Sequence, residues 1–147
     1  MEKILISACL IGDKCKYNGG DNKNPLIEKL LEQYELIPFC PEVEGGLKIP
    51  RDPAEIIRER VKTESGRDVS FQYNRGADLA SNICLYLDIK VAILKETSPS
   101  CGVNEIYDGT FSHRKIKGQG ITTKRLRQMG VRVISENDIE SFLSETK

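Results

Sequence analysis

Short apolar runs recur along this chain, and between them the apolar positions shift to helical spacing. Lys3-Ile-Leu-Ile-Ser-Ala is rich in β formers and opens into a loop carrying Gly12, Gly19 and Gly20, which predicts a buried strand running into an irregular segment. Asn24-Pro25 supplies an N-cap and a first-turn proline, and Ile27, Leu30, Leu31 and Tyr34 follow at helical spacing. A helix of about three turns is predicted there. Leu36–Phe39 reads as a second strand, whose Pro38 suits a sheet edge or a strand end. Further on, Ala77, Ala80, Ile83, Cys84 and Leu87 share one helical face, and Lys90–Leu94 makes another buried strand. The chain ends with a helix over Thr122–Met129 closed by Gly130, a strand over Val131–Ile134, and a helix from Glu136 to about Leu143 with Ser135 and Asp138 as its capping pair.

Residues 41–71 break this rhythm. Pro41, Gly45, Gly46, Pro50 and Pro53 punctuate them; Ala54–Arg60 reads as a short helix and Arg60–Ser70 as a small hairpin, so the stretch is expected to form an elaborated loop region over the sheet. Strands alternating with helices predict an α/β fold whose mostly parallel sheet carries helices on its faces and binds ligands beyond the carboxyl ends of its strands. A chain of 147 residues with 39% hydrophobic content supports one core, so residues 1–147 are expected to form one domain.

Charge narrows the partners. The 22 basic and 22 acidic side chains cancel, so no global field signals nucleic acid or an anionic membrane, and small molecules are the better candidates. The N-terminal apolar run gives way at Gly12-Asp-Lys, too soon to span a bilayer and without a signal-peptide cleavage pattern; a cytoplasmic location is the expectation. Neither periodicity nor cysteine count specifies an oligomeric state.

Five widely spread cysteines match a secreted disulfide framework poorly and reduced thiols or metal ligands better. Cys9, Cys40 and Cys101 each stand just after a predicted strand, among glycine, proline and hydroxyl residues, so the parallel sheet is expected to gather them at one end. Thiolates there suit an iron–sulfur centre, with structural zinc as a lesser option. Cys84, in register with Ala80 and Leu87, reads as core. Cys15 has three readings, a fourth ligand, a resolving thiol or an exposed loop residue, and the last is favoured. Three protein thiolates leave one iron of a four-iron cluster open for Lewis-acid chemistry, whereas four favour electron transfer or structure. The rival function is therefore a redox-sensing or electron-transfer iron–sulfur protein.

Neighbouring residues carry paired readings. Glu42, two residues after Cys40, is either a proton-transfer carboxylate at the same site or a surface ion pair. Ser98 and Ser100, flanking Pro99, either orient a reacting group and cluster sulfurs or merely form a turn. Arg51 either binds a substrate carbonyl or anion or faces solvent. Gly118-Gln-Gly120 ahead of a helix is more a tight loop than an anion cradle. His113, alone and far from the cysteine loops in sequence, is expected to be solvated or locally hydrogen-bonded.

Taken together, Ser7-Ala-Cys-Leu-Ile-Gly, Tyr17-Asn-Gly-Gly, Cys40-Pro-Glu-Val-Glu-Gly-Gly-Leu, Pro50-Arg-Asp-Pro-Ala-Glu and Lys95-Glu-Thr-Ser-Pro-Ser-Cys-Gly resemble the thiouracil desulfidase family over nearly the whole chain. The resemblance implies a single Rossmann-like domain, a [4Fe–4S] cluster on Cys9, Cys40 and Cys101, and catalytic positions at Glu42 and Ser98. It also implies non-redox desulfuration of a thiolated small molecule such as 2-thiouracil, giving the oxo product and sulfide. Cys15 departs from the apolar residue usual in that loop.

Overall fold

The computed structural model describes residues 1–145. In chain order, β1 (Glu2–Ser7) runs into a 3-10 turn (Ala8–Ile11), then α1 (Ile27–Leu31), β2 (Tyr34–Phe39) and α2 (Pro41–Glu44). A hairpin of β3 (Ala54–Ile57) and β4 (Arg60–Thr63) precedes the long α3 (Ser70–Tyr86) and β5 (Val91–Leu94). A second hairpin, β6 (Glu105–Tyr107) and β7 (Lys115–Lys117), leads to α4 (Ile121–Gln128), β8 (Arg132–Ser135), another 3-10 turn (Glu136–Asp138) and α5 (Ile139–Ser144). Among the described residues no helix is long and apolar enough to cross a membrane.

The predicted α/β fold is present as a four-stranded sheet in the order β2-β1-β5-β8, parallel throughout. Its central strands are near-continuous apolar runs because both faces are covered. Alternate residues serve opposite layers: Ile4, Ile6 and Ile93 pack with Ile27 and Leu30 of α1 and Ile139 and Phe142 of α5, whereas Leu5, Ala92 and Leu94 pack with Ala80 and Cys84 of α3 and Leu126 of α4. Pro38 lies on edge strand β2, opposite Ile6, where a missing N–H is tolerated. Since α1 covers one face and α3 the other, the chain changes face between the adjacent strands β1 and β5. The crevice at their carboxyl ends is the topological switch point of this sheet.

Several elements differ from the sequence reading. Ala54–Arg60 is not a helix: Ala54–Ile57 pairs antiparallel with Arg60–Thr63. Ala54 and Ile56 pack on Val61, Val69 and Tyr73, while Glu55 reaches away to other loops. The intervening turn puts Arg58 (φ 50°) and Glu59 (φ 70°) in the left-handed region, where glycine or asparagine is the usual hairpin signal; its absence hid the turn. The hairpin predicted over Arg60–Ser70 is present in short form, β4 turning back so that Lys62 bridges Asp68 antiparallel and the Thr63 and Val69 N–H groups bond the Arg67 and Val61 carbonyls, and α3 starts at Ser70, seven residues before Ala77. The first helix is shorter than predicted. Asn24 caps a turn by accepting the Leu26 N–H at 2.9 Å, and Tyr34 opens β2, stacking on Phe142 at 5.5 Å between ring centroids. Ser135 does cap the last turn, accepting the Asn137 N–H at 3.1 Å.

Two glycines set the position of the loop after β2. A Cβ at Gly76 on α3 would lie 2.0 Å from the Pro41 carbonyl oxygen, and one at Gly45 2.0 Å from that of Gln72. Any side chain at either place would push α2 off α3, and with it Cys40 and Glu42.

Candidate functional site

Three strand ends build the site. Cys9 sits in the 3-10 turn after β1, Cys40 caps the start of α2 after β2, and Cys101 lies in the turn after β5. All three line one cavity of about 330 Å³, together with Cys15, Glu42, Arg51 and Ser98. All five cysteines are free. Cys84 is buried among Leu5, Ala80 and Leu126 as expected, and burial pushes its thiol up to about 11, the state of an inert core thiol.

Cys15 is not an exposed loop residue. Only 8% exposed, it is buried in one cluster with Cys9, and Cys40 packs against that cluster; the Cys40 side chain first, then that of Cys9 and burial, raise its pKa far above the ordinary thiol value. The other partners move the opposite way. The neighbouring Cys15 side chain brings Cys9 down to about 7 against the cost of burial, helped by the Asn22 side-chain amide and the charge of Lys95; Asn22 Nδ2 donates to Cys9 Sγ at 3.4 Å. Cys40 is lowered by the same Cys15 side chain, again against burial and with help from the Val43 N–H. The Gly-Gly loop turns back far enough to bring Asn22 to Cys9, since the Asn22 N–H bonds the Cys9 carbonyl at 2.9 Å.

Cys101 is treated differently. Burial pushes its thiol up to about 12, partly offset by a hydrogen bond with Ser7. Its loop is fixed from all sides: Ser98 Oγ accepts the Cys101 N–H at 2.7 Å and the Ser100 N–H at 3.2 Å, and Thr123 Oγ1 donates to the Cys101 carbonyl at 2.9 Å. Glu96, 7% exposed, accepts from the backbone N–H groups of Thr97, Val103, Asn104 and Glu105 through Oε1. Burial alone would raise its carboxyl, yet these bonds outweigh it and hold the pKa below the ordinary value. Gly118 and Gly120 form a tight loop and no anion cradle, since the N–H groups of Gly120, Ile121 and Thr122 are taken by the carbonyls of Gly102, Pro99 and Ser100.

Glu42 is an inward-facing carboxylate. Oε1 accepts from Tyr73 at 2.9 Å and from Arg51 at 3.2 and 3.3 Å, so Oε2 lies outside these three bonds. Burial first, then the Glu42 charge, raises the Tyr73 phenol well above its ordinary pKa and keeps it a donor. Arg51 also donates to the Cys15 carbonyl at 2.9 Å and to that of Lys48 at 3.1 Å; neither solvent nor a free anion has first claim on it. Ser98 lines the cavity, whereas Ser100 does not: fully buried, it exchanges a hydrogen bond of 3.0 Å with Thr122 Oγ1.

Sequence reasoning missed Tyr73, Asn22, Glu96 and the approach of His113. Tyr73 carried no signal, standing between the loop region of residues 41–71 and Ala77, where the predicted helical face begins. His113 reaches the cavity because the hairpin of β6 and β7 folds over it, pinned by Glu55, which accepts the N–H groups of Gly109 and Phe111 at 2.9 and 3.1 Å. There His113 meets Tyr107 edge to face, ring centroids 6.2 Å apart.

The donor set fits a polynuclear thiolate-bound centre. Cys9 and Cys40 are predisposed to ionise, and the sealed Cys101 needs a compensating positive charge to become a thiolate, which is what a metal centre supplies. Among the described residues no three His, Cys, Asp or Glu side chains close on a single-ion position.

The chain and its fold have counterparts among known proteins. A solved structure described as the [4Fe–4S]-dependent thiouracil desulfidase TudS superposes with a TM-score of 0.93 at 43% sequence identity, covering 99% of this chain and 97% of that one. The uncharacterized protein YbbK of Bacillus subtilis (strain 168) is 42% identical over 150 residues, covering 95% of this chain and 99% of its own length. The family model for 2-thiouracil desulfurase matches residues 4–138, which include every cysteine, carboxylate and hydroxyl described at the cavity, and the chain therefore belongs to that family.

Proposed function

We propose that this protein removes sulfur from a thiocarbonyl compound of the 2-thiouracil kind, giving the oxo product and sulfide, with a [4Fe–4S] cluster held by Cys9, Cys40 and Cys101. The observation that carries the reading is the convergence of three thiols from three strand ends on one cavity that also presents the Glu42 carboxylate. When bound, such a cluster supplies a Lewis-acidic iron without a protein thiolate, at which a thiocarbonyl sulfur is polarised.

The chain's own groups do the rest. Arg51 and Tyr73 fix Glu42 through Oε1, leaving Oε2 to take a proton from the water that replaces sulfur at carbon. Ser98 spends its acceptor capacity on two backbone N–H groups, so its hydroxyl hydrogen is directed elsewhere and acts as a donor into the cavity, not as a base. Arg51 thus orients the carboxylate and acts on the substrate only through it, and Ser100 supports the turn from behind. Reduced thiols of this kind accord with a cytoplasmic setting.

Anaerobic reconstitution followed by iron and acid-labile sulfide analysis, then sulfide release from 2-thiouracil, tests the proposal. Cys9→Ser, Cys40→Ser and Cys101→Ser should each lose most of the cluster, because an alkoxide is a poorer soft-metal ligand. A fully loaded wild-type protein that releases no sulfide from thiopyrimidines, thioureas or thioamides would overturn the enzymatic reading.

A further inference from the structure

Cys15 is the one thiol at the cavity that the proposed chemistry does not use. It is buried in one cluster with Cys9, Cys40 packs against that cluster, and Cys40 Sγ lies 4.0 Å from the Cys15 carbonyl oxygen. Cys40 is the most exposed of the three, and all of them line a cavity open to small solutes. Asn22 donates to Cys9 Sγ, and Arg51 fixes the Cys15 backbone by a bond of 2.9 Å to its carbonyl, so the loop that carries Cys15 is held in place beside Cys40.

We infer that Cys15 is a resolving thiol, which captures oxidised Cys40 as a disulfide and so preserves the cluster site for reloading. The inference rests on Cys40 being a cluster ligand. With a peroxide as oxidant, the Cys40 thiol takes one oxygen as the O–O bond breaks, giving a sulfenic acid and water. Once Cys40 is an uncharged sulfenic acid, the largest influence that kept Cys15 protonated is gone; the Cys15 sulfur attacks the Cys40 sulfur, the S–S bond forms, the S–O bond breaks, and the hydroxyl leaves as water with the Cys15 proton. Without a neighbouring thiol, a second peroxide carries the sulfenic acid to sulfinic acid, which a thiol reductant does not restore. A disulfide is reducible, so the site can accept iron and sulfide again.

The test starts from the cluster-loaded, full-length protein. Excess hydrogen peroxide is added, and the modified peptides are mapped by mass spectrometry before and after dithiothreitol; the reduced protein is then reconstituted and its cluster absorbance measured. In the wild type the Cys15 and Cys40 peptides should be joined, lacking two hydrogens, and reloading should return to the untreated level. Cys15→Ser, reconstituted at a pH high enough to ionise Cys9 and Cys40 without help from Cys15, should take up a full cluster beforehand. After peroxide it should carry two or three oxygens on Cys40, with reloading reduced roughly fivefold. A disulfide between Cys9 and Cys40 in the wild type, or equal reloading of wild type and Cys15→Ser, would overturn the resolving role. So would loss of the cluster in untreated Cys15→Ser, which would make Cys15 a ligand. Retention of a full cluster in Cys40→Ser would instead overturn the ligand assignment on which the inference rests.

Discussion

The two sides of the cavity handle the same chemical group in opposite ways. On the side of β1 and β2, the neighbouring Cys15 side chain draws Cys9 and Cys40 toward the thiolate, and the amide of Asn22 adds to Cys9. On the side of β5, Cys101 is sealed in and pushed up to about 12, while Ser98, Thr123 and Glu96 immobilise its backbone. One side prepares ligands electrostatically; the other prepares a position and leaves the charge to be supplied by what binds. A site built this way gains its metal in a defined place without burying three uncompensated thiolates in the empty protein, which would be costly.

The comparison predicts that substitutions on the first side change chemistry and those on the second change stability. Glu42→Gln should give the largest effect. It keeps the shape, but an amide cannot take the proton that Oε2 is placed to accept, so turnover should fall by about 10²-fold or more, the usual worth of a positioned acid–base group. Iron and acid-labile sulfide content should match the wild type, and the thermal midpoint should move little. A variant with normal turnover would remove Glu42 from the reaction and with it the asymmetry.

Glu96→Gln probes the second side. Four backbone N–H groups converge on Oε1, and the uncharged amide weakens each bond while turning a donor toward part of that nest. A loss of about 2–3 kcal/mol is expected in urea denaturation of the cluster-free protein, from the charge-assisted bonds forfeited. Sign and window follow from the carboxyl's depressed pKa. Its contribution is full above the ordinary carboxylate value and is lost as pH falls through the lower folded value, so wild type and variant should converge in acid. Equal stabilities at neutral pH would show that the Cys101 loop does not depend on this carboxylate.

Legibility followed the same divide. The sheet could be read because Ile4, Leu5, Ile6 and Val91–Leu94 are buried on both faces and therefore appear as unbroken apolar runs. Strand ends could be read with them, and so could the arrival of Cys9, Cys40 and Cys101 at one place. What the pattern could not reveal were contacts made by residues with no apolar periodicity. Cys15 looks like any loop thiol until the chain closes on itself. Tyr73 and Glu96 act through partners 31 positions away in one case and within a local nest in the other. The hairpin of β3 and β4 was concealed by a turn lacking glycine, and that error also misplaced the start of α3. Ser98, read as either a site hydroxyl or a turn former, lines the cavity, yet its bonds to the Cys101 and Ser100 N–H groups could not be seen; replacing it removes a turn support.

The finest test separates the contributions to Cys9. Asn22→Leu removes the amide donor, whose bond to Cys9 Sγ spans 3.4 Å and is secondary to the influence of Cys15. A hydrogen bond to the charged form favours that form, so its loss must move the Cys9 thiol up from about 7, toward the ordinary value. One such bond is worth about 1 kcal/mol, and so less than one pH unit. Cluster loading needs the thiolate, and its midpoint should therefore shift to higher pH by a fraction of a unit in Asn22→Leu, with the final cluster content at high pH unchanged. Titrating the thiolate absorbance of the cluster-free protein gives the same quantity independently of iron. A shift to lower pH would reverse the assigned direction of the bond, and no shift would leave Cys15 as the main polar group preparing Cys9.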